Sequence, residues 1–201
     1  MKRVATKPER FDAAYYRRFY GAKASQVSSQ QAIDRLASFV CGYLDYLQQP
    51  VQRVLDVGCG LGHWRAPITD HYPKATYVGM EFSAHLCEQH GWLQGSIAER
   101  VPRGRFDLVI CQGVLQYISD KDLPAALDNL TAACRGVLYL EALTLEDWRD
   151  NVDQKRTDGA VHLRRVARYR NGLKQRGFIS AGGGLFVSER SPTVLFELEK
   201  G

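Results

Sequence analysis

The chain has 201 residues, 45% of them hydrophobic, and a formal net charge of +5, a length that suits one well-buried core and is short for two. No window approaches the run of roughly 18 apolar residues that a membrane span needs, and the charged start has no apolar signal core; neither a span nor a secretion signal is expected, and the cytoplasm is the expected location. Five scattered cysteines without a Cys-x-x-Cys pair argue against a zinc site or a disulfide framework, so no metal is expected.

In chain order, Ile33, Leu36, Phe39, Val40, Tyr43, Leu44 and Leu47 recur at three- and four-residue spacings and predict an amphipathic helix that stops before Pro50. "QRVLDVG" reads as a short buried strand running into a glycine turn. A helix through "HWRAPITDHY", a strand "ATYVGME", a helix through "SAHLCEQHG" and a weak strand at "WLQG" follow. "FDLVICQ" is the clearest strand; a helix over 123–135 leads from it to a fifth strand, "GVLYLEAL". Beyond Leu143 a polar, Arg-rich stretch reaches a helix, "VHLRRVARYRNGLKQRG", and two last strands, "FISAGGGLFV" and "PTVLFELE", are expected to form an antiparallel hairpin around "SERSP". Strands alternating with helices imply a parallel sheet with helices on both faces. Residues 1–50 read as an N-terminal helical cap and 51–201 as the core of one structural domain.

The most informative stretch is "VLDVGCGLG", Val54 to Gly62. Asp56 ends a strand, and Gly58, Gly60 and Gly62 form a turn into a helix, where bare backbone and free N–H groups let a nucleotide-like ligand lie against the main chain. A dinucleotide fingerprint would need glycine at position 63, which is His63. With that glycine missing and a carboxylate two residues before the first one, the loop suits a ligand that brings a cation. The next strand ends at Glu81, whose carboxylate at the sheet edge can accept both hydroxyls of a ribose. Together these residues describe an adenosine with a positive tail.

On these segments, with "LQGSIAE", "FDLVICQGVLQYI" and the terminal strands, the chain resembles the class I S-adenosylmethionine-dependent methyltransferases over roughly Val51 to Glu199. The resemblance implies a doubly wound, mostly parallel seven-stranded sheet with an antiparallel last strand and the N-terminal helices as a cap. It implies S-adenosylmethionine as cofactor, with Asp56, Gly58 and Gly60 at the methionine end, Glu81 on the ribose and Met80 or Phe82 beside the adenine. Ser96, standing where many relatives carry a carboxylate, and Ile97 complete the adenine end; Gln112 lines the methionine portion.

Ligands bind outside the carboxyl edge of a parallel sheet, which selects the acceptor-side candidates. Tyr15, Tyr16, Phe19 and Tyr20 come from the cap, His63 from the glycine loop, Tyr117 from beyond the fourth strand and Glu141 from the end of the fifth. His162, Arg164, Arg165 and Tyr169 lie further on. His162, Tyr20 and Glu141 are the catalytic candidates, His162 as a general base because imidazole titrates near neutrality. Tyr16, His63, Tyr117 and Arg164 are candidates for holding the acceptor, the arginine through a bidentate clamp. "CQGV" stands where amino-methylating DNA enzymes have [DN]-P-P-[YFW], and it lacks the Pro-Cys of cytosine-carbon enzymes. A small-molecule acceptor, methylated on oxygen or nitrogen in specialised metabolism, is therefore expected, with no membrane and no nucleic acid as partner. The segment from Arg149 to Arg176 holds nine Lys/Arg against three Asp. It keeps an RNA or protein methyltransferase open as an alternative, and a non-catalytic binding subunit is a second.

Overall fold

The computed structural model describes residues 11, 12, 14, 15 and 29–201. Seven strands form one sheet in the order β3-β2-β1-β4-β5-β7-β6: β1 (Arg53–Val57), β2 (Thr76–Glu81), β3 (Leu93–Gln94), β4 (Phe106–Gln112), β5 (Cys134–Glu141), β6 (Phe178–Ser180) and β7 (Leu185–Ser188). β1 to β5 are parallel, and β7 runs antiparallel to both β5 and β6. The strand order reverses direction beside β1, so the crossovers leave a crevice beyond its carboxyl end.

Period-two alternation assigns the faces. Val54, Leu108, Ile110, Val137, Tyr139, Leu185 and Val187 point to the side covered by α1 (Gln30–Tyr46) and α2 (Arg65–His71), while Leu55, Val57, Val109, Cys111, Leu138, Leu140 and Phe186 point to the other. That second face is covered by α4 (Leu123–Ala133) and α6 (Val166–Lys174); α3 (Ala84–His90) and α5 (Leu145–Asp150) are two further helices among the described residues. α1 buries Ile33, Ala37, Val40, Cys41 and Leu44, the stripe its spacing predicts, and Ser29 caps it by accepting from the Ala32 N–H. This helix is thus a layer of the sandwich that also lends Ile33 to the crevice, beside the preceding Phe11 and Tyr15.

Three differences from the sequence reading have local causes. "FISAGGGLFV" is two strands, because Gly182, Gly183 and Gly184 all take positive φ (76°, 56° and 80°) and turn the chain within it. The hairpin therefore closes there, and "PTVLFELE" forms no strand: Glu197–Glu199 is a single 3-10 turn. In the stretch read as polar and Arg-rich, with no helix expected in it before the one from Val161, α5 forms behind a capping box, Thr144 accepting from the Asp147 N–H while Asp147 accepts from the Thr144 N–H. α6 starts at Val166 rather than near Val161, because Arg164 is held in an isolated bridge with Thr144.

Candidate functional site

The β1–α2 loop is built by glycines that serve different ends. Gly58, Gly60 and Gly62 all have positive φ (68°, 51° and 77°). A Cβ on Gly58 would lie 2.3 Å from Val114 Cγ2, and one on Gly62 would lie 2.8 Å from the Trp92 ring. Those two positions are bare so that neighbouring side chains can pack. Only Gly60 looks into open space, its nearest atom being the Gly58 carbonyl oxygen at 3.9 Å. Trp92 also donates its indole N–H to the Gly60 carbonyl at 3.0 Å, bracing the loop from beneath.

Glu81 ties this loop to β2. Its Oε2 accepts from the Gly60 N–H at 2.9 Å, and Oε1 accepts from the N–H groups of Phe82 and Ser83 at 2.7 and 2.9 Å. Three backbone donors orient a carboxylate that is 5% exposed; Oε1 has both lone pairs engaged, and Oε2 keeps one for a ligand hydroxyl. Asp56, also buried, accepts from the Tyr77 hydroxyl. Burial, partly offset by that bond and reinforced by the charge of Glu81, pushes its carboxyl up to about 7. No Lys or Arg among the described residues pairs with it, so a ligand cation is the counter-charge this site lacks.

The crevice widens into a cavity of about 770 Å³, within the size range of small-molecule and cofactor sites. Gln112 and Glu141 stand opposite each other at the ends of β4 and β5. Trp64 Nε1 donates to Gln112 Oε1 at 2.8 Å, and Gln112 Nε2 donates to Glu141 Oε2 at 3.1 Å, where the Tyr139 hydroxyl also donates at 2.9 Å. At the mouth, Phe11 sets its ring edge-on to Tyr15, Tyr117 and Phe82 at centroid distances of 5.0, 5.2 and 6.3 Å. The Tyr15 and Tyr117 hydroxyls bond at 2.9 Å, and Ser83 Oγ donates to the Phe11 carbonyl at 2.6 Å.

Of the residues picked from sequence, Asp56, Gly58, Gly60, Glu81, Phe82, Ser96, Ile97, Gln112, His63, Tyr117, Tyr15 and Glu141 line this one cavity. Tyr16, Phe19 and Tyr20 lie outside the described residues. Met80 is in the core. Arg164 is not in the cavity wall: 5% exposed, it donates to the carbonyls of Leu115 and Ile118, to the Tyr169 hydroxyl and to Asp120. Its guanidinium is spent on holding the turn after β4, which leaves nothing for a substrate clamp. His162 is outside the wall as well, with its backbone N–H on the Gln116 carbonyl at 2.7 Å and its Nε2 buried without a partner. Tyr169 is buried in the core and Arg165 is exposed at the start of α6. Val114 and Trp92, which shape the loop, and Trp64, which starts the polar relay to Glu141, were missed; their contacts are long-range and leave no local signal. Among the described residues, no group of three His, Cys, Asp or Glu could hold a metal, and no helix is long and apolar enough to cross a membrane.

A family model described as a methyltransferase domain matches residues 10–181. The malonyl-[acyl-carrier protein] O-methyltransferase of Legionella pneumophila is 36% identical over 118 residues, covering 53% of this chain and 42% of the relative. The trans-aconitate 2-methyltransferase of Deinococcus radiodurans is 32% identical over 81 residues, covering 36% of this chain and 31% of the relative. The chain spans less than half the length of these curated relatives. In fold it is similar to the magnesium protoporphyrin IX methyltransferase of Synechocystis with bound SAH, at a TM-score of 0.62 and 19% identity over 90% of this chain and 97% of that one. The plantazolicin methyltransferase BpumL gives a TM-score of 0.65 at 14% identity, over 87% of this chain and 74% of that one.

Proposed function

Because the chain belongs to the class I S-adenosylmethionine-dependent methyltransferases, we propose that it transfers a methyl group from that cofactor to an oxygen or nitrogen of a small molecule, in specialised metabolism. The carrying observation is that one cavity runs from the bare Gly60 and the oriented Glu81 to the Glu141 and Tyr117 wall. Cofactor and acceptor therefore share a single enclosure. When bound, the cofactor supplies an electrophilic methyl on a sulfonium.

The chain's own residues do the rest. Asp56 and the open backbone at Gly60 receive the cationic methionine end, Glu81 accepts from a ribose hydroxyl, and Phe82 and Ile97 sandwich the adenine, with Ser96 at its rim. Gln112, clamped between Trp64 and Glu141, sets the boundary between the two ligands. Methyl transfer needs in-line approach in a space free of water, so alignment by these walls is the main contribution expected of the protein. The matching curated relatives act on different acceptors, malonyl-[acyl-carrier protein] and trans-aconitate, so the acceptor's chemistry must be read from the far wall.

Calorimetry with S-adenosylmethionine, with NAD as a control, tests the reading. Wild type is expected to bind the former only. Glu81→Gln removes the charge while keeping the shape, and loss of charged hydrogen bonds, at about 1.5–3 kcal/mol in total, corresponds to roughly 10- to 100-fold weaker binding. Unchanged affinity in Glu81→Gln, or preferential NAD binding, overturns it.

A further inference from the structure

The protein is basic overall, yet eight of the cavity's lining residues are Asp or Glu and, among the described residues, none is Lys or Arg. Asp56 and Glu81 belong to the cofactor end. A single sulfonium and ammonium set against its own carboxylate does not call for all the others: Glu99 adjoins Ser96 at the adenine end, but Glu141 and Asp158, which accepts from the Tyr117 hydroxyl, stand with the residues read as the acceptor wall. Glu141 has Oε2 fixed by Gln112 and Tyr139 and Oε1 without a protein partner among the described residues. Asp147, from α5, is held ionised: hydrogen bonds from Thr144 and Asn151 keep its carboxyl below the usual range. An anionic acceptor would be desolvated against like charge in this half, whereas a cationic one would be drawn in.

His63 adds the chemistry. Gln30 Nε2 is committed to two acceptors, Asp34 Oδ1 at 2.7 Å and the His63 carbonyl at 2.9 Å, so the amide oxygen is the atom that faces the ring and bonds Nδ1. An amide oxygen only accepts, which makes Nδ1 the protonated nitrogen and leaves the lone pair on Nε2. Burial holds the ring's pKa down, against a smaller opposing pull from Asp34, so the neutral ring dominates at neutral pH. His63 and Glu141 line the same cavity, and the residue after His63, Trp64, donates to Gln112, which donates to Glu141.

We propose that the methyl acceptor is a basic amine, bound as its ammonium against Glu141 and deprotonated by His63 Nε2. The assignment rests on the methyl-transfer reading and narrows it to nitrogen. An N–H proton of the ammonium passes to Nε2, making the ring a cation. The lone pair left on nitrogen takes the methyl carbon, and the electron pair of the breaking C–S bond stays on sulfur. His63 returns its proton to water once the product has left. This moves the base from His162, which lies off the cavity wall, to a histidine whose tautomer is already set for the task.

Matched probes of opposite charge test the assignment on protein saturated with SAH: phenethylamine against 3-phenylpropanoate, and putrescine against succinate, titrated by saturation-transfer NMR. Saturable SAH binding is measured first; its failure would count against the methyl-transfer reading itself. The amine of at least one pair is expected to bind about 10-fold more tightly than its carboxylate, and Glu141→Gln to shrink that preference to about threefold or less with SAH affinity held within about threefold. In the resting protein, nitrogen-15 spectra assigned with His63→Asn should show a neutral, Nδ1-protonated ring at pH 7. Carboxylates binding as well as the amines, no amine saturating, or a ring protonated at Nε2 overturns the proposal.

Discussion

Asp56 shows how a single buried carboxylate can couple proton and cofactor. Its folded pKa of about 7 lies above its ordinary 3.8 because burial penalises the charged form. A raised folded pKa means that the native state holds the proton more tightly than the unfolded chain does. Its stabilising contribution is then full below about 3.8 and is lost as pH rises to about 7, after which the curve is flat. A cation placed beside it favours the ionised form, so the cofactor has to displace the proton at low pH. Affinity for S-adenosylmethionine is therefore expected to fall as pH drops below about 7, approaching a tenfold loss per pH unit, while Asp56→Asn binds more weakly and without that slope. Calorimetry between pH 5.5 and 8.5 decides it; a wild-type slope that survives in Asp56→Asn assigns the proton to another group. The neighbouring glycines teach a related lesson at this scale. "GCGLG" announces a tight turn and a ligand, but only Gly60 keeps space for one, since Val114 and Trp92 fill the room over Gly58 and Gly62.

Among elements, the turn after β4 depends most on one distant side chain. Leu115–Tyr117 is a 3-10 turn that sets Val114, Gln116 and Tyr117 along the cavity, and Arg164 fastens its two ends by donating to the carbonyls of Leu115 and Ile118 at 2.9 and 2.5 Å. Arg164→Met leaves both carbonyls without their donor at about 1–3 kcal/mol each. For a chain of this size that lowers the unfolding midpoint by roughly 4–24 °C. Arg164→Lys, a single point donor in place of a fork, is expected to lie between it and wild type in a thermal melt. A Met variant as stable as wild type would show that water satisfies the turn. How readable each element was follows from the range of the forces that make it. β1 and β4 are short apolar runs between turn signals, and "FDLVICQ" matches Phe106–Gln112 residue for residue. The last hairpin was misplaced because apolar residues on both sides of three glycines look continuous when φ is unknown. α5 carried a usable signal, Thr144 three residues before Asp147, hidden by the polar composition around it. Contacts such as Gln30 to His63 and Arg164 to Leu115 join residues 33 and 49 positions apart, and no spacing rule reaches that far.

Across the whole molecule, charge and covering are arranged in opposite senses. Apart from the buried Arg164, the basic segment turns its charge outward: Arg149 pairs with Asp150 and Arg176 with Asp128 at the surface, and Arg165, Arg168 and Arg170 are exposed around α6. Negative charge is gathered in the cavity. The stability of the sheet comes from two apolar clusters on its faces, neither of which includes Phe11 or Tyr15. These two residues instead join Phe82 to Tyr117, both in the cavity wall, so on the proposed reading their contacts count mainly where ligands are held. Each edge-on aromatic pair contributes about 0.5–1.5 kcal/mol beyond area burial. Removing both rings in Phe11→Ala/Tyr15→Ala is therefore expected to weaken S-adenosylmethionine binding by roughly 10-fold. Because the core clusters are untouched, the unfolding midpoint of the ligand-free protein should shift by only about 3 °C or less. Calorimetry and a thermal melt on the same preparation separate the two effects: a large fall in the midpoint with unaltered affinity would make the Phe11–Tyr15 segment part of the fold's foundation, and the reverse pattern makes it the cover of the site.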